Sequence, residues 1–92
     1  MGAKKRKAVG MRFVNYSSKS GLFRIVTNGE RFRVQFYTRF RGWRWLMKAN
    51  ISMFTLGYWE SIAEFESYDH AEGETRRAFG DQIEIKREWR PA

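Results

Sequence analysis

Arginine is the residue type whose number and spacing in this chain most clearly indicate a chemistry. The 18 Lys and Arg residues outnumber the 10 Asp and Glu residues, which gives a formal net charge of +8 at pH 7. Residues 1–48 hold 13 of the basic residues and one acid, whereas residues 49–92 hold 5 basic and 9 acidic residues. The guanidinium group is planar and weakly hydrated, and it binds phosphate or carboxylate through paired hydrogen bonds. The first half of the chain is therefore suited to an anionic partner.

Patterns typical of catalysis or metal binding are absent from the sequence. Without cysteine and with one histidine, His70, the chain has neither a thiolate nor a paired-histidine metal site. No glycine-rich loop is followed by Lys-Ser or Lys-Thr, as phosphate-cradling loops require. Glu60, Glu64 and Glu66 lie close in sequence, but on a strand they share one solvated face and do not form a catalytic pair. We therefore predict a binding protein with no catalytic residues, cofactor, metal or small-molecule substrate.

The arginines of the first half fall on a predicted β-hairpin. Leu22–Thr27 and Glu30–Phe40 flank Asn28-Gly29, a residue pair that tolerates the two positive φ angles of a two-residue turn. This register places Arg24 opposite Arg33 and Ile25 opposite Phe32. The predicted buried face carries Phe23, Ile25, Phe32, Val34, Phe36 and Phe40.

A second hairpin is predicted about Arg41-Gly42, joining Glu30–Phe40 to Trp43–Lys48, with a longer loop as the alternative because arginine adopts positive φ poorly. In the two-residue form Trp43 and Trp45 point into the core, and Arg39 lies opposite Arg44. The predicted anion-binding residues on the outer face are then Arg24, Arg31, Arg33, Tyr37, Arg39, Arg44 and Lys48.

Binding of a polyanion would explain why like charges are directly opposed on this face. Each opposed pair destabilises a sheet by about a few tenths of a kcal/mol, a cost that a bound polyanion removes. Tyr37 provides a ring on which a base can stack. The alternative is that these arginines are solvated or paired with acids from the second half, since Glu60, Glu64 and Glu66 have no assigned partners.

Residues 1–10 are predicted to form a flexible basic arm. The cluster Lys4, Lys5, Arg6 and Lys7 has small neighbours and no periodic apolar face, which is typical of a nucleic-acid-binding tail. The longest segment without charge, Ala49 to Trp59, is shorter than the roughly 20 residues of a membrane-spanning helix. We therefore expect a cytoplasmic protein with no membrane partner.

The rest of the sequence predicts a single α+β domain over residues 11–92. Arg12–Tyr16 is predicted as a short strand, Asn50–Trp59 has no clear period, and Glu60–Ser67 favours a strand over a short helix. Asp69 followed by Glu72 is typical of a capping box, which predicts a helix over His70–Phe79 that stops at Gly80.

Gln82–Trp89 alternates between apolar and charged residues and predicts a final strand. The predicted fold is an antiparallel sheet of four to five strands, a β-meander, packed against one helix.

The order of these elements resembles that of small bacteriophage accessory proteins built from a sheet and one helix. The likeness covers Leu22 to Phe79 and centres on Phe65-Glu66-Ser67-Tyr68-Asp69-His70-Ala71-Glu72, where a strand ends and a helix opens. It implies a role in the host cytoplasm, in binding nucleic acid or in inhibiting a host machine such as a polymerase, nuclease or CRISPR complex. No catalytic residues are carried over. Gly73 in the middle of the helix and the basic first half depart from the general pattern.

Three functions are compatible with the sequence. The first is nucleic-acid binding through the arginine-rich sheet face and the basic arm. The alternative is a phage-type protein that docks on an acidic protein surface and inhibits a host complex. The third is a homodimer in which the basic half of one copy packs on the acidic half of another.

Overall fold

The computed structural model describes residues 12–17, 19–52 and 54–90, which form seven strands and one helix. The predicted arm, residues 1–10, lies outside the described residues. The predicted α+β class, a sheet packed against one helix, is confirmed. In chain order the elements are β1 (Leu22–Thr27), β2 (Phe32–Thr38), β3 (Gly42–Trp45), β4 (Met47–Ile51), β5 (Tyr58–Ile62), β6 (Glu64–Phe65), α1 (Tyr68–Phe79) and β7 (Glu84–Trp89).

The main sheet is mixed, not wholly antiparallel as predicted. Its strands lie in the order β3-β2-β1-β7, and β6 also pairs with β2. β1, β2 and β3 form an antiparallel meander, but β7 runs parallel to β1. The chain crosses through α1 from β6 to the far side of the sheet, and it therefore enters β7 in the direction of β1. β4 and β5 form a second, two-stranded sheet.

The connection between β1 and β2 has four residues, 28–31, and not the predicted two. Asn28 Oδ1 accepts hydrogen bonds from the backbone N–H groups of Glu30 at 2.9 Å and Arg31 at 3.1 Å, and so closes a wider turn. Arg24 consequently lies opposite Gln35, not Arg33. The register differs from the prediction by two residues, and an even shift keeps the side chains within β1 and β2 on their predicted faces.

The connection between β2 and β3 places the side chains of β3 on the opposite face of the sheet from the one predicted. Residues 39–41 form the turn, and Tyr37 lies opposite Trp43 while Phe36 lies opposite Arg44. This register differs from the predicted one by three residues, and an odd shift moves each side chain to the other face. Trp43 and Trp45 are therefore on the outer face, away from α1. The predicted inward tryptophans and the predicted Arg39–Arg44 pair are wrong.

The core lies between the inner face of the main sheet, α1 and residues 12–17. Its buried residues are Phe23, Ile25, Val34, Phe36, Leu46, Ala63, Phe65 and Ala71. The centroid of the Tyr16 ring lies 4.4 Å from that of Phe79 and 5.3 Å from that of Phe23. Burial in this position raises the pKa of the Tyr16 phenol. The predicted strand Arg12–Tyr16 is reduced to one bridge, between Phe13 and Lys48.

Helix α1 begins two residues earlier than predicted because Ser67, not Asp69, is its N-cap. The Ser67 hydroxyl accepts a hydrogen bond from the backbone N–H of His70 at 3.1 Å. Asp69 and Glu72 instead pair with Arg87 of β7. Gly80 ends the helix at a φ of +103°, as predicted. Among the described residues, no helix is long and apolar enough to cross a membrane.

Candidate functional site

The predicted arginine face is largely neutralised within the molecule. Arg24 donates from Nε to Gln35 Oε1 at 2.7 Å, and its Nη1 lies 3.3 Å from a carboxylate oxygen of Glu88 in β7. Burial lowers the pKa of the Arg24 guanidinium, and the nearby Glu88 carboxylate opposes that effect. Arg24 is therefore part of the packed sheet surface.

Arg31 and Arg33 share one acid. Glu64 of β6 lies opposite Arg33 and accepts from its Nε at 2.9 Å, while Arg31 Nη1 lies 3.3 Å from the same carboxylate. The hydrogen bond from Arg33 lowers the pKa of Glu64, and the charges of both arginines act in the same direction. The alternative predicted from the sequence, that these arginines pair with acids from the second half of the chain, is therefore correct for Arg24, Arg31 and Arg33. Directly opposed arginines do not occur in the described strand pairs.

Tryptophans complete this outer layer. Arg24 Cζ lies 4.2 Å from the centroid of the Trp43 ring, and Arg33 Cζ lies 5.8 Å from that of Trp45. The Tyr37 ring meets Trp43 edge-on at 5.3 Å. Guanidinium groups held over indole rings are attracted by the ring quadrupole. The outer face is therefore a layer of aromatic and arginine side chains that already bind one another.

A second cationic cluster lies at the turn between β2 and β3. A cavity of about 820 Å³ is lined there by Lys19, Arg39, Arg41 and Arg44, with Tyr37 and Phe40 beside them. We call this cluster the turn pocket. None of its lining residues is acidic. Within the described part of the chain, none of its four cations has a carboxylate oxygen within 4.0 Å.

Local hydrogen bonds give the turn pocket its shape. Thr38 Oγ1 donates to the carbonyl of Gly42 at 2.8 Å and accepts from the N–H of Arg41 at 3.1 Å, which holds the turn closed. Gly42 adopts a φ of +70°, a conformation that glycine accommodates without strain. Ser20 Oγ donates to the carbonyl of Tyr37 at 2.9 Å and so places Lys19 next to the turn.

The exposed ring of this site is Phe40. Its side chain is 91% exposed and lies 5.9 Å from the guanidinium carbon of Arg39. The sequence prediction placed Phe40 on the buried face, which is wrong because Phe40 lies in the turn and not in β2. A solvated aromatic ring between two arginines is a surface on which a planar group can stack.

The predicted site residues are thus divided among several places. Arg39, Arg44 and Tyr37 belong to the turn pocket, whereas Lys48 lies on β4 in the second sheet. The predicted arm residues Lys4, Lys5, Arg6 and Lys7 lie outside the described residues. Sequence reasoning missed Lys19, Phe40 and Arg41. The signal for Phe40 and Arg41 was the run Arg39-Phe40-Arg41 together with the poor fit of arginine to a two-residue turn, whereas Lys19 reaches the turn through a long-range contact of Ser20 that the sequence does not reveal.

The chain was compared with models of protein families, with curated proteins and with solved structures, and none of them matches it. Among the described residues, no three His, Asp or Glu side chains are grouped in a way that could hold a metal ion.

Proposed function

We propose that this protein binds nucleic acid through the turn pocket, without catalysing a reaction, in the cytoplasm. The observation that carries the proposal is a cavity lined by four cations and no acid, next to an aromatic side chain that is 91% exposed. On the outer face of the main sheet, by contrast, Arg24, Arg31 and Arg33 are paired with glutamates. Unpaired guanidinium groups that converge on one cavity are available to bind phosphate.

The exposed phenyl ring favours single-stranded RNA or DNA over a duplex. The bases of a duplex are stacked on one another, so the ring of Phe40 gains a stacking partner only from an unpaired base. Such stacking contributes about 1–3 kcal/mol per base. Phosphates on either side of that base would then contact Arg39, Arg41 and Arg44.

A pair of arginine substitutions tests the location of the site. Arg41→Ala removes a cation of the turn pocket, and Arg31→Ala removes an exposed arginine that is paired with Glu64. Binding of a labelled single-stranded oligonucleotide, measured by fluorescence anisotropy, should weaken about tenfold for Arg41→Ala, since a hydrogen bond to a charged group contributes about 1.5–3 kcal/mol. Arg31→Ala should bind nearly as the wild type does. Equal losses in the two variants would place the site elsewhere.

A second substitution tests the stacking contact. Phe40→Ala should weaken binding to the single strand by about tenfold and leave duplex binding unchanged, because only the unpaired base loses its stacking partner. Polyglutamate serves as the control competitor in the same assay. If it displaces the oligonucleotide as well as RNA does, the turn pocket recognises negative charge alone, and an acidic protein surface becomes the better candidate.

A further inference from the structure

The β4–β5 hairpin exposes apolar side chains that nucleic-acid binding leaves unexplained. Residues 49–59 contain no charged side chain. Phe54 is fully exposed and Leu56 is 81% exposed, and Ile51, Tyr58 and Trp59 are exposed as well. A cluster of this kind on a small domain is typical of a contact with another macromolecule.

The backbone at Leu56 supports the same conclusion. Leu56 has a φ of +57° and is the only non-glycine residue with positive φ in the described ranges. A left-handed conformation costs about 1–2 kcal/mol for a residue with a Cβ atom, and glycine would avoid that cost. An exposed leucine at this position is compatible with a role for its side chain in binding.

One edge of the hairpin has hydrogen-bonding groups that no described strand occupies. Ser52 N donates to the carbonyl of Gly57 at 2.9 Å, and Ala63 N donates to the carbonyl of Leu46 at 3.0 Å. Because hydrogen bonding alternates along an antiparallel pair, Trp59 and Ser61 also bond towards β4. The peptide N–H and C=O groups of Tyr58, Glu60 and Ile62 therefore point away from β4.

The other edge of the hairpin is already occupied. Val14 N donates to the carbonyl of Met47 at 3.1 Å, and Ala49 N donates to the carbonyl of Arg12 at 2.9 Å. The β5 edge differs because β4 is its only strand partner in the described sheets. Its one charged side chain is Glu60, and it has no lysine, proline or bulge of the kind that proteins often use to prevent edge pairing.

We propose that β5 pairs antiparallel with β5 of a second copy, which makes the protein a two-fold symmetric dimer. A two-fold axis brings a strand against itself, so this edge needs no other partner. With the axis at Trp59, Tyr58 lies opposite Glu60 of the second copy and the two tryptophans face each other. Tyr58 Oη already donates to Glu60 Oε2 at 2.8 Å within one copy, so these groups are compatible neighbours.

Charge repulsion favours the register with the axis at Trp59 over the register with the axis at Glu60. An axis at Glu60 would place the two Glu60 carboxylates directly opposite each other, which is destabilising. The axis at Trp59 avoids this contact and adds an aromatic cross-strand pair, which stabilises a sheet. The net charge of +8 opposes association at low salt, so the dimer should be sought at about 0.15 M salt, where the screening length is about 8 Å.

Two substitutions at one position test the proposal. Glu60→Pro removes a backbone N–H that points away from β4, so the hairpin within one copy is kept while β5–β5 pairing is lost. Glu60→Ala is the matched control, because it removes the carboxylate and keeps the N–H. In sedimentation equilibrium the wild type and Glu60→Ala should approach twice the 11.0 kDa chain mass as concentration rises, and Glu60→Pro should remain at 11.0 kDa.

Hydrogen exchange of the unmodified protein gives a test that needs no variant. The amides of Tyr58 and Glu60 should exchange more slowly as concentration rises, because the dimer makes them hydrogen-bonded, and those of Trp59 and Ser61 should change less. A wild type that stays at 11.0 kDa, or Tyr58 and Glu60 amides that do not respond to concentration, would overturn the proposal. So would a Glu60→Pro variant that dimerises like the wild type.

Discussion

Arginines that are paired with a carboxylate of the same molecule are less available to a partner than arginines without such a pair. Glu64 forms ion pairs with Arg31 and Arg33, and Glu88 forms ion pairs with Arg24 and Arg90. Arg39 and Arg41 have no such acid within reach in the described part of the chain, because the β2–β3 turn lies beyond the strands that carry Glu64 and Glu88. The distribution of acids therefore moves the candidate site from the sheet face to the end of the sheet.

Glu64→Gln should reduce stability and change its dependence on pH. The hydrogen bond from Arg33 lowers the pKa of Glu64 in the folded state, so the unfolded chain takes up the proton more readily. The stabilisation is present above the ordinary glutamate pKa of about 4.3 and is lost as the pH falls through the lower folded value. We expect the variant to lose less than about 1 kcal/mol at neutral pH, since the pair is partly exposed.

Thermal unfolding followed by circular dichroism at several pH values measures this effect. The difference between wild type and Glu64→Gln should shrink as the pH is lowered below the ordinary pKa of glutamate. Glu66→Gln is the control, because Glu66 is exposed and has no cation within 4.0 Å among the described residues. A constant difference at every pH would show that the Glu64 carboxylate is not responsible.

These ion pairs could not be predicted from the sequence because they join distant residues. Arg33 and Glu64 are 31 positions apart, and Arg24 and Glu88 are 64 apart. The sequence pattern correctly placed Arg24 and Arg33 on the outer face, because alternation along a strand is a local property. It could not show which acids the fold brings beside them.

Turn length determines how far the strand predictions succeed. At Asn28 the turn is longer than predicted, but the register changes by an even number and the buried faces of β1 and β2 agree with the prediction. After Thr38 the change is odd, and Trp43 and Trp45 move from the predicted core to the outer face. Alternation predicts two faces for β3, but only the turn determines which of them is buried.

Substitution by alanine should change the stability of the protein in opposite directions at Gly42 and Gly73, although both positions have room for a methyl group. A Cβ atom at Gly42 or at Gly73 would meet no described atom within 4 Å. Gly42 has a φ of +70°, whereas Gly73 lies within α1 and has a negative φ. Gly42→Ala should therefore destabilise the protein by about 1 kcal/mol, and Gly73→Ala should stabilise it by up to about 1 kcal/mol.

The midpoints of thermal unfolding test this pair of substitutions. A change of 1 kcal/mol corresponds to roughly 4–8 °C in a domain of this size. Each substitution serves as the control for the other, because they add the same methyl group and differ in backbone conformation. Two shifts of the same sign would contradict the expected role of the backbone angle at Gly42.

Over the whole molecule, the sequence predicts features that depend on local residue patterns better than it predicts the topology of the sheet. The α+β class, the inward face of β1 and β2 and the end of the helix at Gly80 follow from local patterns, whereas Phe40, predicted on that face, is exposed. The parallel pairing of β1 with β7 does not, because it depends on the path of the chain through α1. Nucleic-acid binding remains a prediction, now assigned to the turn pocket, which keeps Arg39 and Arg44 of the predicted set and adds Arg41.

The predicted basic arm, residues 1–10, and the turn pocket should contribute separately to the salt dependence of binding. For single strands the slope of log affinity against log salt is about −0.7 per neutralised phosphate, so four cations of the turn pocket predict a slope of about −3. Replacing Lys4, Lys5, Arg6 and Lys7 together by glutamine should make the slope less steep, by up to about 3 units if all four contact phosphate. Arg41→Ala should change it by about 0.7.

Anisotropy titrations at a series of salt concentrations measure both slopes on the same oligonucleotide. The arm variant should weaken binding equally for every base sequence, because contacts with phosphates carry no base information. Phe40→Ala should leave the slope unchanged while it lowers affinity, since stacking neutralises no phosphate. A slope that changes with Phe40→Ala but not with Arg41→Ala would show that the phosphates are not bound by the turn pocket, and the assignment of that pocket would be wrong.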